Sequence, residues 1–271
     1  MTTSAPDYDA IRDRQQRIWS TGDYAAIGTP LQIVAETLCE AVDLRAGSRV
    51  LDVACGSGNA AIAAARRFCD VTGIDYVPAL LERGRERAAA EHLDVTFVEG
   101  DAGNLPFGDA SFDVVLSTFG VMFAPDQDRA ASELLRVCRP GGTIGLANWT
   151  PDGFWGEIFR CVARFVPPPP GLKPPPRWGT DEGMRDLLGD GVSGLRLERR
   201  TFMMRYTSAE AWLDYFRGTF GPFVTALHVL DADGRDALTA ELLDIARRFN
   251  RGGEETLIVP AGYLEVVATR A

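Results

Sequence analysis

The sequence has few of the residues on which metal sites, disulfide frameworks and membrane anchors depend. Its 271 residues include only two histidines, and its five cysteines form no CxxC pair. This spacing favours neither a zinc motif nor a disulfide framework, and no acidic or histidine cluster has the spacing of metal ligands. No apolar run is long enough for a membrane span, and the N-terminal segment lacks signal-peptide order. We expect a cytoplasmic protein with no metal and no membrane association.

Positive charge is also scarce. The formal net charge is −10 and the isoelectric point is near 4.8. Such a field repels phosphate backbones, so we expect no nucleic-acid partner. A hydrophobic content of 46% over this length is enough for one elaborated domain with a substantial core. The composition leaves both a monomer and a homodimer open.

Short apolar strands alternate with amphipathic helices through the first half of the chain. The segments SRVLDVACG, DVTGID, VTFVEGD, FDVVLST and TIGLANW favour strands. Helix-forming stretches separate most of them, and two further helices are predicted before them, at 7–20 and 31–42. Five repeats of this alternation predict a doubly wound α/β core with a parallel sheet and right-handed crossovers.

The regular alternation of strands and helices ends after the fifth strand. An amphipathic stretch is followed by a proline-rich segment, 167–176, which favours an extended connector, more often a loop brace than a partner site. We divide the single predicted domain into a helical cap, 1–45, and a core formed by 46–149, 180–206 and 255–271. Two insertions, 150–179 and 207–254, would leave the carboxyl edge of the sheet, where ligands of open α/β sheets bind, and are candidate lids.

A glycine turn follows the first strand in VLDVACGSGN. Gly56 and Gly58 let the backbone approach a ligand at the next helix N-terminus. The same turn satisfies the dinucleotide pattern, with Asp75 where such folds place an acid for the ribose, so it does not separate NAD from S-adenosylmethionine. Asp52, just before the turn, would repel a pyrophosphate but favour a cationic ligand. Asp101, in VEGDAGN, places a third acid at the end of a third strand.

These motifs resemble those of the class I S-adenosylmethionine-dependent methyltransferases, in particular the small-molecule group related to the type 11 methyltransferases. The shared pattern runs from a DxGxGxG loop through GDA, FD and RxxxPGG, and covers about residues 30 to 150; here Ala54 replaces the first glycine of the loop. The resemblance implies a Rossmann-like, seven-stranded, mostly parallel sheet with an antiparallel last strand. It also implies S-adenosylmethionine as cofactor and S-adenosylhomocysteine as product.

The resemblance also implies roles for individual residues. Ala54, Gly56 and Gly58 would line the methionine part, Asp75 would bind the ribose hydroxyls, and Tyr76 would pack on the adenine. Asp101 and the backbone of Ala102 would contact the adenine edge, and Thr118 and Phe119 would face the sulfonium. The segment WSTGDYAAIG is similar to a cap with an aromatic residue over the methionine end, which we assign to Tyr24. The remaining acid in the predicted cofactor set is Asp52.

Methyl transfer from a sulfonium requires mainly alignment and desolvation, so no catalytic motif marks the acceptor. His228, in the second insertion, is the candidate general base for a hydroxyl, against the simpler interpretation of a histidine satisfied within a lid helix. Trp155 and Phe216 are candidates for an apolar acceptor pocket. The predicted reaction is methyl transfer to an O, N or C nucleophile of a small molecule, in secondary or quinone-type metabolism.

Three other functions compete with this prediction. An NAD-dependent oxidoreductase is opposed by Asp52 and by the RPGG element. A non-catalytic S-adenosylmethionine-binding or regulatory module is the alternative from a different class. An RNA methyltransferase is opposed by the negative charge and by LSTFGVMF, which stands where such enzymes carry an NPPY-type tetrapeptide.

Overall fold

The computed structural model describes residues 6–271. The first five residues of the predicted cap therefore lie outside the described part of the chain. The cap consists of two helices, α1 (Tyr8–Ser20) and α2 (Tyr24–Ala41). Each begins at an aspartate whose carboxylate accepts a backbone N–H, Asp7 from Ala10 and Asp23 from Ala26. Because Asp23 caps it, α2 begins before Leu31, where apolar periodicity alone placed its start.

Seven strands form one sheet in the order β3-β2-β1-β4-β5-β7-β6. Neighbours from β3 to β5 pair in parallel, whereas β7 is antiparallel to both β5 and β6. The predicted doubly wound sheet with an antiparallel last strand is confirmed. The strands are β1 (Arg49–Val53), β2 (Asp70–Asp75), β3 (Thr96–Glu99), β4 (Phe112–Thr118), β5 (Cys138–Trp149), β6 (Val192–Tyr206) and β7 (Leu257–Arg270).

The sheet is covered on both faces because its central strands are apolar on both sides. Val50 and Val114 pack with α3 (Asn59–Ala65) and α4 (Pro78–Ala90), whereas Leu51 and Val115 pack with α5 (Gln127–Val137). The helices that follow β1 and β2 therefore cover one face of the sheet, and the helix that follows β4 covers the other. The change of face falls between β1 and β4, which are neighbours in the sheet. In open α/β sheets the crevice at such a switch point is the usual ligand site.

The two insertions supply most of the remaining helices. They contain α6 (Phe154–Phe165), α8 (Ala209–Thr219), α9 (Gly221–Val229) and α10 (Ala232–Phe249), while α7 (Asp181–Leu188) precedes β6. Thr180 caps α7 by accepting from the N–H of Gly183, as its position predicts. The chain turns at Phe220, between α8 and α9, and Pro222 lies in the first turn of α9. The segment 208–230 is therefore two helices.

The proline-rich segment packs along α5. The side-chain amide of Gln127 donates to the carbonyls of Lys173 and Pro174, and Asp128 forms ion pairs with Lys173 and Arg177. These contacts fit the loop-brace interpretation of 167–176. Within residues 6–271, no helix has the length and apolar character needed to cross a bilayer.

Candidate active site

A cavity of about 190 Å³ lies at the carboxyl edge of the sheet, over the switch point between β1 and β4. Nearly all of the residues predicted to bind the cofactor line it, together with Trp155 and Phe216. The cofactor set at the cavity comprises Tyr24, Asp52, Ala54, Gly56, Asp75, Tyr76, Asp101, Ala102, Thr118 and Phe119. Residues far apart in the sequence meet here because parallel strands end at the same edge.

Gly58 is the exception, since it does not line the cavity, and its predicted role at the methionine part stays a prediction. It has φ +83° and lies at the N-cap of α3, where an added Cβ would be 2.9 Å from the ring of Phe97. Only glycine tolerates both this conformation and this approach. By contrast, an added Cβ on Gly56 would meet no atom within 4 Å. Gly56 is therefore the loop glycine whose backbone is open to a ligand. Gly58 instead allows the turn to pack against the ring of Phe97.

Two buried carboxylates hold the glycine loop. Asp52 Oδ2 accepts the backbone N–H of Ala61 at 2.8 Å, in the first turn of α3. Asp75 Oδ2 accepts the N–H of Gly56 at 2.9 Å, and its Oδ1 accepts the N–H of Val77 at 2.9 Å. Each acid thus serves as a turn or helix cap as well as lining the cavity. Both functions predicted for Asp52, ordering the loop and placing charge at the site, are compatible with this position.

Burial shifts the ionisation of both groups. Asp52 is 1% exposed and Asp75 is 8% exposed. Burial raises the pKa of Asp52 to about 7, with the neighbouring Asp75 contributing and the Ala61 N–H opposing the shift. Burial also raises the pKa of Asp75 to about 6, against its backbone hydrogen bonds. A cation in the cavity would favour the ionised form of both groups.

Helix α1 covers the third acid. Asp101 Oδ1 accepts the N–H of Gly103 at 2.9 Å, and its Oδ2 lies 3.6 Å from Arg12 Nη1. On the same helix, the side-chain amide of Gln16 donates to the carbonyl of Tyr76. Motif spacing missed both contacts, since they join the cap to strand ends at least 60 residues away.

Arg87 braces the loop from α4 and was also missed. Its Nη1 donates to the carbonyl of Ser57 at 2.7 Å and to Asn59 Oδ1 at 2.9 Å, while its Nη2 donates to Gln32 Oε1 at 2.9 Å. One guanidinium therefore connects α4, the glycine loop and the cap. Its acceptors are uncharged, so the bonds hold geometry without neutralising the acids of the site.

The other half of the cavity is aromatic. Phe119, with φ +59°, stacks on Trp149 with ring centroids 3.7 Å apart and planes 5° from parallel. Trp155 lies 5.2 Å from Phe216, and Phe159 and Phe220 also line this half. Thr118 Oγ1 is buried and has no hydrogen-bond partner in residues 6–271. An unpaired hydroxyl beside an apolar wall is a hydrogen-bonding group available to a ligand.

Tyr24 joins the cap to the second insertion. Its hydroxyl accepts the N–H of Gly221 at 2.9 Å, and its ring meets that of Trp19 edge-on at 5.2 Å. The backbone N–H of Asp23 donates to Thr219 at 2.8 Å, which reinforces the same junction. The two chain segments that roof the cavity are thus held to each other. Trp19 lines the cavity as well, although the sequence motif singled out only Tyr24.

His228 does not belong to the site. It lies near the end of α9 on the exposed side of the helix and outside the cavity lining, whereas Gly221, Phe223 and Ala226 form the buried side. A general base must come within hydrogen-bond reach of the proton that it removes. The placement of His228 therefore favours the simpler interpretation of a histidine within a lid helix over that of a general base. In residues 6–271, no three His, Cys, Asp or Glu side chains form a group that could hold a metal ion.

Comparison with known proteins agrees with this geometry. The model of a methyltransferase domain matches residues 50–142. The chain is 39% identical over 246 residues to an uncharacterized protein of Mycobacterium tuberculosis, covering 89% of this chain and 88% of that protein. It is 40% identical over 124 residues to the demethylmenaquinone methyltransferase of Deinococcus radiodurans, covering 44% of this chain and 52% of that enzyme.

Solved structures share the fold. The YcgJ protein of Bacillus subtilis superposes with a TM-score of 0.61 at 18% identity, covering 87% of this chain and 97% of that one. The phosphoethanolamine N-methyltransferase 2 of Haemonchus contortus, solved with S-adenosylhomocysteine, superposes with a TM-score of 0.55 at 20% identity, covering 87% of this chain and 52% of that one.

The fold, the acid-lined crevice and the family model together define a class of enzyme. The chain belongs to the class I S-adenosylmethionine-dependent methyltransferases, and S-adenosylmethionine is its cofactor. The oxidoreductase and non-catalytic alternatives are therefore set aside.

Proposed function

We propose that the enzyme methylates an O, N or C nucleophile of a small, largely apolar organic molecule, of the secondary or quinone type. The observation that carries the proposal is the division of the cavity. Carboxylates follow β1, β2 and β3, whereas aromatic rings follow β4 and β5 and come from the two insertions. A cationic cofactor suits the acidic half, and an apolar acceptor suits the aromatic half.

In this proposal the acidic half binds the cofactor. Asp75 accepts from the ribose hydroxyls, Tyr76 packs on the adenine, and Asp101 with the Ala102 backbone contacts the adenine edge. The bare backbone of Gly56 and the loop residue Ala54 approach the methionine part, which Tyr24 covers from the cap. The fit rests on the open face of Gly56 and on the three acids at one edge.

The aromatic half aligns the acceptor. When bound, the cofactor supplies a methyl group on a sulfonium, already activated for displacement. Phe119 and Trp149 form a flat wall against which a planar acceptor stacks. Trp155 and Phe216, next to this wall, exclude water, and the unpaired hydroxyl of Thr118 orients a polar atom of the acceptor. These residues provide alignment and desolvation, and none of them is a strong base.

Three further observations support a small-molecule acceptor. The insertions 150–179 and 207–254 roof the cavity, in accordance with the lid function proposed for them within a single domain. The net charge of −10 opposes a nucleic-acid substrate. The demethylmenaquinone methyltransferase among the relatives acts on an acceptor of the quinone type, as its name states. We place the reaction in the cytoplasm and leave both a monomer and a homodimer compatible with it.

A labelled-methyl assay tests the proposal. Purified enzyme is incubated with methyl-labelled S-adenosylmethionine and, in parallel, with reduced quinones and substituted phenols, with total RNA, and with a protein extract. We expect label in the small-molecule arm only. In that arm, Trp155→Ala should raise the KM for the acceptor while the Kd for S-adenosylhomocysteine stays unchanged, and Asp75→Asn should raise that Kd. Label in RNA or protein, with none in the small molecules, would refute the proposal.

A further inference from the structure

A second cavity of about 720 Å³ opens beside the first. It lies between the N-terminal half of α2, the last six residues of β6 and the helix α8; we term it the α2–β6 groove. Its walls include Ile33 and Val34 from α2, Phe202 and Met203 from β6, and Tyr215 from α8. The site described above does not use any of these residues.

The groove forms because strands β6 and β7 extend beyond the end of β5. The pairing of β5 with β7 ends at Trp149 opposite Tyr263. Strands β6 and β7 continue to pair beyond that point, from Thr201 opposite Gly262 to Tyr206 opposite Leu257. This two-stranded ribbon rises above the carboxyl edge with no third strand beside it, and α2 stands opposite. The space between the ribbon and α2 is the groove.

The groove adjoins the active-site cavity. Ile27, Leu31, Trp155 and Phe216 line both. The rings of Trp155 and Phe216, 5.2 Å apart, stand where the groove meets the aromatic half of the cavity. A chain attached to a molecule in the aromatic half would enter the groove past this pair of rings.

The chemistry of the walls selects an apolar occupant. The groove lining contains no carboxylate, and its one charged residue, Arg205, is exposed and donates to the carbonyl of Met203. Ile33 stands at the open end with 62% of its surface exposed.

We propose that the α2–β6 groove binds an apolar chain carried by the methyl acceptor, so that the substrate is an amphiphile with its nucleophile on a compact head group. The inference rests on the proposed function, because the head group occupies the aromatic half of the cavity. It narrows the acceptor class to molecules with a chain long enough to pass Trp155 and Phe216.

Chain-length dependence of binding tests the inference without requiring turnover. The probes are 4-methylphenol, 4-butylphenol and 4-octylphenol, titrated by calorimetry into the enzyme saturated with S-adenosylhomocysteine. Affinity should rise by up to about fourfold for each methylene that the groove buries. Equal affinity for the three probes would overturn the inference.

Substitution at the mouth of the groove locates the effect. Ile33→Glu places a charge there and should reduce the ratio of octyl to methyl affinity at least tenfold. Val229→Glu is the matched control, because Val229 is also helical, aliphatic and 59% exposed but lies outside both cavities; it should leave the ratio unchanged. The same ratio in both variants would overturn the inference.

The oligomeric state and the labelled-methyl assay separate the remaining explanations. If Ile33→Glu dissociates a dimer while probe binding shows no chain-length dependence, the groove is an interface between copies of the chain and the inference fails. If small molecules are methylated with no preference for a chain, the inference fails while the proposed function stands. Chain-dependent binding with label transferred only to RNA or protein would refute the proposed function and, since the acceptor would then not be the amphiphile, the inference with it.

Discussion

The contact between the loops that follow β1 and β4 can be tested by adding one methyl group. A Cβ added at Gly120 would lie 2.2 Å from the carbonyl oxygen of Ala54 and 2.7 Å from its Cβ. Gly120 has φ −89° and ψ −59°, where alanine is allowed, so the substitution introduces a steric clash with no backbone strain. Since ordinary contacts of this kind lie near 3.5 Å, the loops must separate by about 1 Å.

The expected cost of Gly120→Ala is that of overpacking, about 1 to 3 kcal/mol of unfolding free energy. The displaced loop carries Ala54 and Gly56, so the Kd for S-adenosylhomocysteine should rise as well. Urea denaturation and calorimetric titration measure the two effects. Adding Ala54→Gly removes the Cβ contact but leaves the carbonyl contact, and should restore only part of the loss.

Gly218→Ala is the control for the loss of a glycine. An added Cβ at Gly218 meets no atom within 4 Å, and the residue lies in α8. Alanine should therefore stabilise the protein there, by up to about 1 kcal/mol. If Gly120→Ala remains within about 0.5 kcal/mol of the unmodified enzyme and binds S-adenosylhomocysteine equally well, the two loops do not pack as described, and the account of the glycine loop is refuted.

Three further predictions concern charge and position. Because burial raises the pKa of Asp52 to about 7 in the folded state, its contribution to apo stability is present at acid pH and is lost as pH rises toward 7. In the unmodified enzyme the unfolding free energy should fall between about pH 5 and about pH 8, and Asp52→Asn should make this fall smaller by about 2 kcal/mol. The same substitution should flatten the rise of cofactor affinity over that pH range. Unchanged pH dependence of both quantities would contradict this. Arg87→Met leaves the Ser57 carbonyl and the Asn59 side chain without their donor and should weaken S-adenosylhomocysteine binding about tenfold, at a cost of about 2 kcal/mol in stability; calorimetry and thermal unfolding check both, and wild-type binding would show that the brace is dispensable. His228→Ala should leave kcat and KM for the acceptor unchanged, since the side chain lies outside the cavity; a loss of turnover would return it to the mechanism.

Continuous apolar runs were sufficient to predict the parallel strands β1 to β5 and their acidic edge, whereas the antiparallel last strand was implied by the family resemblance. Val50 and Leu51 are adjacent, yet they pack on opposite faces of the sheet, which is why such strands carry no polar alternation. Once the strands are parallel, the acids that follow them must share one edge. Asp52, Asp75 and Asp101 therefore meet at the cavity as the sequence predicts.

Contacts between distant side chains escaped prediction for a different reason. The donors of Arg87 reach Ser57 and Gln32, and Arg12 reaches Asp101, through packing that no local pattern records. The exposure of His228, near the end of α9, depends on how that helix packs on the insertion and is likewise not recorded in a local pattern. Periodicity predicted helical structure over 208–230, but it did not show the turn at Phe220 that divides the segment into α8 and α9.

The division of the cavity follows from where the chain places its insertions. The acids and the glycine loop lie within residues 50–142, the segment that the family model matches. Trp149, Trp155 and Phe216 lie beyond it, as do the β6 residues of the α2–β6 groove. Because the roof over β4 and β5 is built from segments inserted after the shared core, a relative that matches only the core aligns with Phe119 but not with Trp155 or Phe216. The relative from Mycobacterium tuberculosis, aligned over 246 residues, extends beyond that core. A common acceptor is therefore to be sought among relatives of that kind, by comparing their side chains at Ile33, Trp155 and Met203.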